Sequence, residues 1–226
     1  MTARTPFHYH HSAPPPPRVA PLPLAPGTTL LVLGDGITAA EPGYVSLIAQ
    51  ALARTRPDLG LRVLNAGLDG DTLHSALARL DRDVLAHDPA WVAVHLGLGE
   101  ARGGPGAGSP DELTGLARAL LARLRDTGIG VILLTTTVAG EQPDSRANRL
   151  LRDYNAALRA LAAETGARLV DVWQAFADAY DRAAAYKQEV ALTTDGVHPN
   201  LQGHALIART FLAAVGLLDR PTPPAP

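Results

Sequence analysis

Cysteine is absent from this sequence of 226 residues. The chain can therefore form no disulfide, and it offers no thiolate ligand to a metal ion. Because structural disulfides belong to oxidising compartments, a chain without cysteine fits a reducing one. Stability has to come from a hydrophobic core, and a chain of this length with 46% hydrophobic residues can build one domain.

An excess of charge and a long apolar run are lacking as well. The formal net charge is −2, so no strong field favours nucleic acid or an anionic membrane as a partner. No apolar run approaches the roughly 20 residues of a membrane-spanning helix, and the N-terminus has no apolar core of signal-peptide length. We therefore expect a cytoplasmic protein that binds neither nucleic acid nor a membrane.

Proline is concentrated near the two ends of the chain. Residues 1–27 contain four consecutive prolines, which favour polyproline II and donate no backbone hydrogen bonds. We expect a disordered tail over residues 1–27, a globular domain over residues 28–218 and a second disordered tail over residues 219–226. Two alternatives for the first tail are a ligand of a proline-binding domain and a weak metal site at His8, His10 and His11.

Apolar runs that are typical of buried strands alternate with segments of helical periodicity. Strands are predicted at residues 28–33, 62–66, 91–96, 130–134 and 168–171. Helices are predicted at residues 44–55, 71–85, 109–126, 145–165, 173–186 and 201–215. Asp71 is the expected N-cap of the second helix, and Ser109 with Glu112 forms a capping box for the third. The alternation predicts an α/β fold, a three-layer α/β/α domain around a five-stranded parallel sheet.

Ligands of open parallel sheets bind at the carboxyl ends of the strands. Glycines there allow a backbone N–H to approach a ligand closely, and the N–H of Gly67 is a candidate donor to an oxyanion. The candidate site residues after the first four strands are Asp35, Gly36, Asn65, Gly67, Gly99, Glu100 and Thr135.

Residues 34–39 (GDGITA) match the glycine pattern of dinucleotide-binding loops. The second strand, however, ends at Ala66 and Gly67 without the acidic residue that would hold a ribose. Asp35 would also place a carboxylate beside a pyrophosphate. We predict no cofactor and no metal, since the spacing of Asp35, Glu100 and His198 is not diagnostic of a metal site.

Residues 193–200 (TTDGVHPN) form a polar loop before the last helix, whose N-cap is expected at Asn200. Asp195 precedes His198 by three residues. A carboxylate at this spacing can orient an imidazole and stabilise its charged form, so that the imidazole acts as a general base.

The other histidines receive structural interpretations. His95 lies inside the third predicted strand and is expected in the core. His74, His87 and His204 are expected on helix surfaces.

Taken together, four segments resemble the SGNH hydrolases, the family of GDSL-type lipases and acylhydrolases. Residues 34–38 (GDGIT) resemble the opening GDSIT block, and residues 65–72 (NAGLDGDT) resemble the second block. Residues 94–101 (VHLGLGEA) stand where the third block belongs, and residues 195–208 (DGVHPNLQGHALIA) are very similar to the last. The resemblance implies a flavodoxin-like strand order and hydrolysis of carboxylic esters on small molecules, acyl chains or sugars.

Three positions depart from the family pattern. Gly36 stands where the family has its nucleophilic serine, and Gly99 stands where it has an asparagine that donates to the oxyanion. Glu100 replaces the following aspartate. Glu100 and Asp35 are candidate acids or orienting groups, and Asp35, Asn65 and Thr135 are expected to line the substrate pocket.

Without a serine hydroxyl, the chain forms no acyl-enzyme by the usual route. The resemblance carries over the backbone N–H groups of Gly36 and Gly67 and the pair of Asp195 and His198. One hypothesis is an enzyme in which His198 acts on water or a substrate hydroxyl admitted to the space at Gly36, in hydrolysis, elimination or cyclisation. The other is an inactive module that binds an acyl group, a glycosyl group or a partner protein. A deliberate replacement of the serine is a third interpretation, which the second change at Gly99 disfavours.

Overall fold

The computed structural model describes residues 20–140, 145–188 and 190–217. Its strands are β1 (Thr29–Gly34), β2 (Arg62–Gly67), β3 (Trp91–His95), β4 (Gly130–Leu134) and β5 (Arg168–Val170). They form one parallel sheet in the order β2-β1-β3-β4-β5. This is the flavodoxin-like order, and it confirms the predicted fold class.

Helices cover both faces of this sheet. They are α1 (Gly36–Ala39), α2 (Tyr44–Thr55), α3 (Leu73–Asp83), α4 (Leu98–Ala101), α5 (Pro110–Asp126), α6 (Arg146–Thr165), α7 (Val172–Ala185) and α8 (Leu201–Ala214). Contacts group α2 and α7 with α8 in one layer, and α3 and α6 with α5 in the other. Among the described residues, no helix combines the length and the apolar character that a membrane crossing requires.

The burial of the strands explains why the pattern of apolar residues in the sequence predicts them correctly. Every residue of β1 is buried, as are four of the five residues of β3. Strands covered on both faces consist of continuous apolar runs without alternation. The edge strand β2 is more exposed, and its residues are partly buried or exposed throughout.

The predicted elements agree with the observed ones to within two residues, and the additions are the short helices α1 and α4 and the 3-10 turns Pro57–Leu59 and Leu85–His87. The capping box of α5 is present, because Ser109 Oγ accepts from the N–H of Glu112 and the Glu112 carboxylate accepts from the N–H of Ser109. Asn200 caps α8 as expected. The prediction for α3 is wrong: Thr72, not Asp71, is its N-cap.

Asp71 instead forms a buried ion pair with Arg79. Asp71 Oδ2 lies 2.9 Å from Nε and 2.6 Å from Nη2 of Arg79. The same Nη2 donates to the backbone carbonyl of Ala66 at 2.7 Å and to that of Gly34 at 3.4 Å. This arrangement, which we call the Arg79 clamp, joins the carboxyl ends of β1 and β2 to the start of α3.

The last part of the expected N-terminal tail packs against the domain. Leu22 is buried, and its N–H donates to the carbonyl of Val215 at 3.0 Å. The N–H of Gly27 donates to the carbonyl of Leu59 at 2.7 Å. The expectation of disorder over residues 1–27 is therefore wrong for residues 20–27, because a leucine there finds an apolar surface. Residues 1–19, with their three histidines, and residues 219–226 lie outside the described residues.

We expect Arg79→Met to lower the free energy of unfolding by about 3–5 kcal/mol, since it leaves the Asp71 carboxylate buried without its partner. Urea denaturation measures the change. The matched control is Arg118→Met, because Arg118 pairs with Glu164 at an exposed position, and such pairs contribute little to stability. Equal effects of the two substitutions would contradict the structural role of the clamp.

Candidate active site

All five strands are parallel, so the loops that follow them meet at one edge of the sheet, the carboxyl rim. Three of these loops follow β1, β2 and β4, and helix α4 begins shortly after β3. The candidate residues from the first three sequence blocks all lie in or beside these segments.

Asp35 begins the turn that carries Gly36. Its Oδ1 accepts a hydrogen bond from the N–H of Ile37 at 3.0 Å and thereby caps α1. Its backbone carbonyl accepts from the N–H of Thr38, also at 3.0 Å. The N–H of Gly36 has no hydrogen-bond acceptor among the described residues, so it is available to a ligand.

Asn65 joins β2 to this turn. Its Nδ2 donates to the backbone carbonyl of Thr38 at 2.8 Å, and its Oδ1 accepts from the N–H of Gly67 at 2.9 Å. Position 67 requires glycine, because a Cβ there would lie 2.3 Å from the backbone nitrogen of Ala39. The expectation that the Gly67 N–H serves an oxyanion is therefore corrected, since Asn65 already accepts it.

A tight turn follows β2, in which the N–H of Asp71 donates to the carbonyl of Leu68 at 3.0 Å. Gly70 has a φ of 73°, the left-handed conformation that this position of the turn demands. The N–H of Leu68 also donates to the carbonyl of Gly34 at 3.0 Å, which fastens the turn to the end of β1. In the part of the chain that the structure describes, the Gly70 N–H has no acceptor. Of the two glycines in this loop, Gly70 rather than Gly67 therefore has an N–H that is available to a ligand.

Asp69 extends from this turn onto Gly36. A Cβ built at Gly36 would lie 2.5 Å from Oδ1 and 3.5 Å from Cγ of Asp69. The space at Gly36 is therefore filled by a carboxylate, which corrects the expectation that it admits water. The sequence analysis did not single out Asp69, and its one signal was its position inside the second block.

Asp195 and His198, which we call the dyad, lie in hydrogen-bonding contact. His198 Nδ1 is 2.6 Å from Asp195 Oδ2, and Asp195 Oδ1 accepts from the backbone N–H of His198 at 2.8 Å and of Val197 at 2.9 Å. The hydrogen bond with the His198 ring, followed by these two backbone bonds, holds the pKa of Asp195 well below its usual value. The His198 side chain is 61% exposed, so Nε2 is open to a substrate.

The loop of the dyad is attached to the carboxyl rim. The N–H of Gly140, in the loop after β4, donates to the carbonyl of Gly196 between the two dyad residues. Helix α8 begins directly after the loop, with Asn200 Oδ1 accepting from the N–H groups of Gln202 and Gly203. The dyad is thus held between the end of β4 and the start of α8.

Tyr44 links this part of the fold to the turn after β1. His204 Nδ1 accepts from the backbone N–H of Tyr44 at 3.2 Å, and the two rings stack. His204 is only 5% exposed, so its expected surface position is wrong. The Tyr44 hydroxyl lies 2.8 Å from Thr38 Oγ1 and 3.3 Å from Nδ1 of His95, a core residue as predicted, whose burial lowers its pKa to about 4. These contacts place the dyad and the Gly36 turn at the same rim.

Glu100 is a buried carboxyl group of this rim that binds the start of α3. It is 2% exposed, and its Oε1 accepts from the N–H of Leu73, the first residue of α3, at 2.7 Å. Its Oε2 is buried without a hydrogen-bond partner among the described residues, and burial raises the pKa of the carboxyl. We therefore assign Glu100 to the capping of α3, which corrects its candidate catalytic role.

Thr135 and Gly99 also differ from their expected roles. Thr135 is completely buried, and its hydroxyl donates to Asp171 at 3.0 Å and accepts from the N–H of Trp173 at 2.9 Å. Thr135 therefore positions α7 and does not line a substrate pocket. At Gly99, an added Cβ would meet no atom within 4 Å, so open space replaces a side chain there.

A groove of about 370 Å³ lies next to the site, between β2 and α3. Asn65, Leu68 and Arg82 are among its lining residues, whereas Gly36 and His198 are not. Within residues 20–140, 145–188 and 190–217, no three His, Cys, Asp or Glu side chains are grouped to hold a metal ion.

Asp35, at the rim, has a carboxyl group whose pKa is shifted by its surroundings. Burial is the main cause that raises its pKa from 3.8 to about 6, and the carboxylates of Glu100 and Asp71 add to the shift. A carboxyl whose pKa is raised by folding lowers the stability of the fold as the pH rises from about 4 to about 6.

We expect Asp35→Asn to remove this pH-dependent loss while keeping the cap of α1, because asparagine caps helices as well as aspartate does. The variant gains about 1–2 kcal/mol of unfolding free energy over the wild type at pH 7.5, after allowance for solvent screening. At pH 4 the gain disappears. Urea titrations at both pH values measure it, and a difference independent of pH argues against a raised pKa.

Several known proteins are similar to this chain in sequence and in fold. The sequence profile of the GDSL-like lipase/acylhydrolase family matches residues 32–206. An acetylxylan esterase of Geobacillus stearothermophilus is 30% identical over 212 residues, which cover 84% of this chain and 94% of that protein. Esterase TesA of Pseudomonas aeruginosa is 30% identical over 182 residues, which cover 78% and 82% of the two chains.

Solved structures agree with these relationships. LAE5, an α/β hydrolase enzyme from the metagenome of Lake Arreo, superimposes with a TM-score of 0.78 at 30% identity, over 87% of this chain and 98% of that chain. The crystal structure of the Geobacillus acetylxylan esterase gives 0.75 at 28% identity, over 85% and 96%. Further structures of that esterase are catalytic mutants at a serine, at an aspartate and at a histidine three residues after the aspartate. The chain therefore belongs to the GDSL-like lipase/acylhydrolase family.

Proposed function

We propose that this protein hydrolyses carboxylic esters of small molecules without a serine nucleophile. The observation that carries the proposal is the dyad, because His198 is fixed through Nδ1 by Asp195 while its Nε2 faces solvent. His198 transfers the proton that ester hydrolysis requires. The dyad has the spacing of the aspartate and histidine whose replacement gives catalytic mutants of the acetylxylan esterase.

The absence of the serine determines the kind of mechanism. With glycine at position 36 there is no alkoxide, so no acyl-enzyme forms there. Removing the nucleophile of a serine protease costs on the order of 10⁶ in turnover. Water therefore attacks the substrate directly, without an acyl-enzyme, and turnover is slow by the standard of serine esterases.

The stabilisation of the oxyanion is weaker than in the family pattern. The backbone N–H groups of Gly36 and Gly70 are two donors of the rim that have no acceptor among the described residues. Gly99 supplies no side-chain amide, and one missing donor costs roughly 10²–10³ in turnover.

The substrate we propose is a small carboxylic ester that carries an acyl chain or a sugar. Acetylated xylo-oligosaccharides are the first candidates, because acetylxylan is the substrate that the Geobacillus relative is named for. The open space at Gly99 leaves room beside α4 for part of such a substrate.

His198→Ala should lower kcat for short-chain alkyl esters and acetylated xylo-oligosaccharides by about 10²–10⁴, the usual contribution of a positioned general acid or base. Assays of released acid measure the loss. His74→Ala is the matched control, since His74 is exposed on α3, and it should leave turnover unchanged. If turnover survives the loss of His198, the dyad does not carry the reaction.

Restoring the two family residues should create a serine esterase. A Cβ added at Gly99 meets no atom within 4 Å, and the atoms nearest to a Cβ added at Gly36 belong to Asp69, whose exposed carboxylate can move away. We expect the double variant to hydrolyse 4-nitrophenyl acetate much faster than the wild type does. A folded double variant that is no faster than the wild type would show that the scaffold no longer aligns a nucleophile with the dyad.

A second candidate function is that of a binding module for acyl or glycosyl groups or for a partner protein. The absence of both the serine and the asparagine side chain favours it, because two separate contributions to catalysis are missing. Calorimetry with acetylated xylo-oligosaccharides, followed by product analysis, separates the two functions. Tight binding without product supports the binding module.

A further inference from the structure

We propose that Asp69 is the general base that activates a water molecule beside the Gly36 turn, in place of the missing serine nucleophile. This inference rests on the proposed hydrolytic function and assigns a second group to it. Asp69 Oδ1 lies 2.5 Å from the place where a Cβ at position 36 would be. An oxygen with a basic lone pair thus occupies the neighbourhood in which a serine hydroxyl would lie.

The backbone holds Asp69 in this place from both sides. On one side, the N–H of Leu68 donates to the carbonyl of Gly34 at 3.0 Å. On the other side, the buried pair of Asp71 with Arg79 anchors the end of the turn. Since the same arginine also binds the carbonyl ends of β1 and β2, the turn that carries Asp69 and the turn that carries Gly36 are fastened to one support.

The carboxylate of Asp69 is free to act on a ligand. The residue is exposed, and its side chain forms no hydrogen bond or ion pair with any residue in the described ranges. The other carboxylates of the rim are engaged, because Asp71 is paired with Arg79, Glu100 caps α3 and Asp35 caps α1. Asp69 is therefore the rim carboxylate that can accept a proton without giving up a structural contact.

The reaction divides the proton transfers between two groups. Asp69 Oδ1 accepts a proton from water while the water oxygen bonds to the ester carbonyl carbon, and the C=O electron pair moves onto its oxygen. The N–H groups of Gly36 and Gly70 stabilise that oxyanion. The bond to the alcohol oxygen then breaks as imidazolium His198 donates a proton to it. Proton return from Asp69 to His198 through solvent restores both groups, and one ester and one water have become one acid and one alcohol.

A base on water is favoured over direct attack by the carboxylate. Direct attack by Asp69 would form a mixed anhydride and expel an alkoxide, which is a far stronger base than a carboxylate. Water activation avoids this intermediate and needs only the proton transfer for which a free carboxylate is suited.

The test compares two variants on two esters. Asp69→Asn keeps the shape of the side chain but removes the base, and should lower kcat about 10²–10⁴-fold on both 4-nitrophenyl acetate and an alkyl acetate. His198→Ala should slow the alkyl acetate much more than the nitrophenyl ester, whose leaving group needs no acid. Asp126→Asn is the matched control, because Asp126 is exposed at the end of α5, at the opposite rim of the sheet, and should leave kcat unchanged.

If Asp69 acts as a base, a carboxylate added to the solution should take over its role when the side chain is removed. Asp69→Ala should regain activity as formate is added, whereas the wild type and Asp126→Asn should not respond. Thermal melting of the Asp69 variants should match that of the wild type, which separates a chemical role from a structural one.

The outcomes distinguish the inference from the function on which it rests. A wild type active on both esters whose alkyl-acetate activity is lost in His198→Ala but kept in Asp69→Asn overturns the role of Asp69 and leaves the proposed function standing. Incorporation of ¹⁸O from labelled water into the Asp69 carboxylate during a single turnover also overturns it, because the label marks Asp69 as a nucleophile. A wild type inactive on every ester overturns the proposed function and the role of Asp69 with it.

Discussion

The buried ion pair of Asp71 with Arg79 is the constraint on which the candidate site depends. Arg79 binds the Asp71 carboxylate and also the backbone carbonyls of Ala66 and Gly34, so one guanidinium joins two strand ends and a helix start. A charge buried in this way is tolerated only when its hydrogen bonds are satisfied, which fixes the geometry of the loops around it. The turn that carries Asp69 consequently lies against the Gly36 turn.

Local patterns predict most of the fold and little of its polar interior. The apolar runs of β1 and β3 and the capping box at Ser109 depend on neighbours in sequence, and the structure has them where expected. Asp71 was misassigned because a helix cap is a local use of an aspartate, whereas its actual partner is Arg79. His204 has the polarity of a surface residue, and its burial against Tyr44 follows from the packing of α8 on α2.

The site likewise has one part that the sequence predicts, the dyad, and one part that it does not, the contact of Asp69 with Gly36. The dyad is a local feature, since three residues separate Asp195 from His198 and one loop brings them together. The approach of Asp69 to Gly36 joins residues from loops after different strands, and no spacing in the sequence encodes it. Gly67 and Gly70 illustrate the limit, because both stand in one motif and only the hydrogen bond from Gly67 to Asn65 shows which N–H is free. Functional assignments at such a rim therefore need the backbone as well as the motif.

A distance measurement in solution tests most directly whether the Asp69 turn and the dyad share one cleft. The chain has no cysteine, so Leu68→Cys, at a position 50% exposed, can carry a nitroxide label on a unique thiol. The account predicts strong paramagnetic broadening of the backbone N–H signals of Gly196 and His198, with the signal of Asp126 at the opposite rim unchanged. Signals of Gly196 and His198 as sharp as that of Asp126 would contradict it.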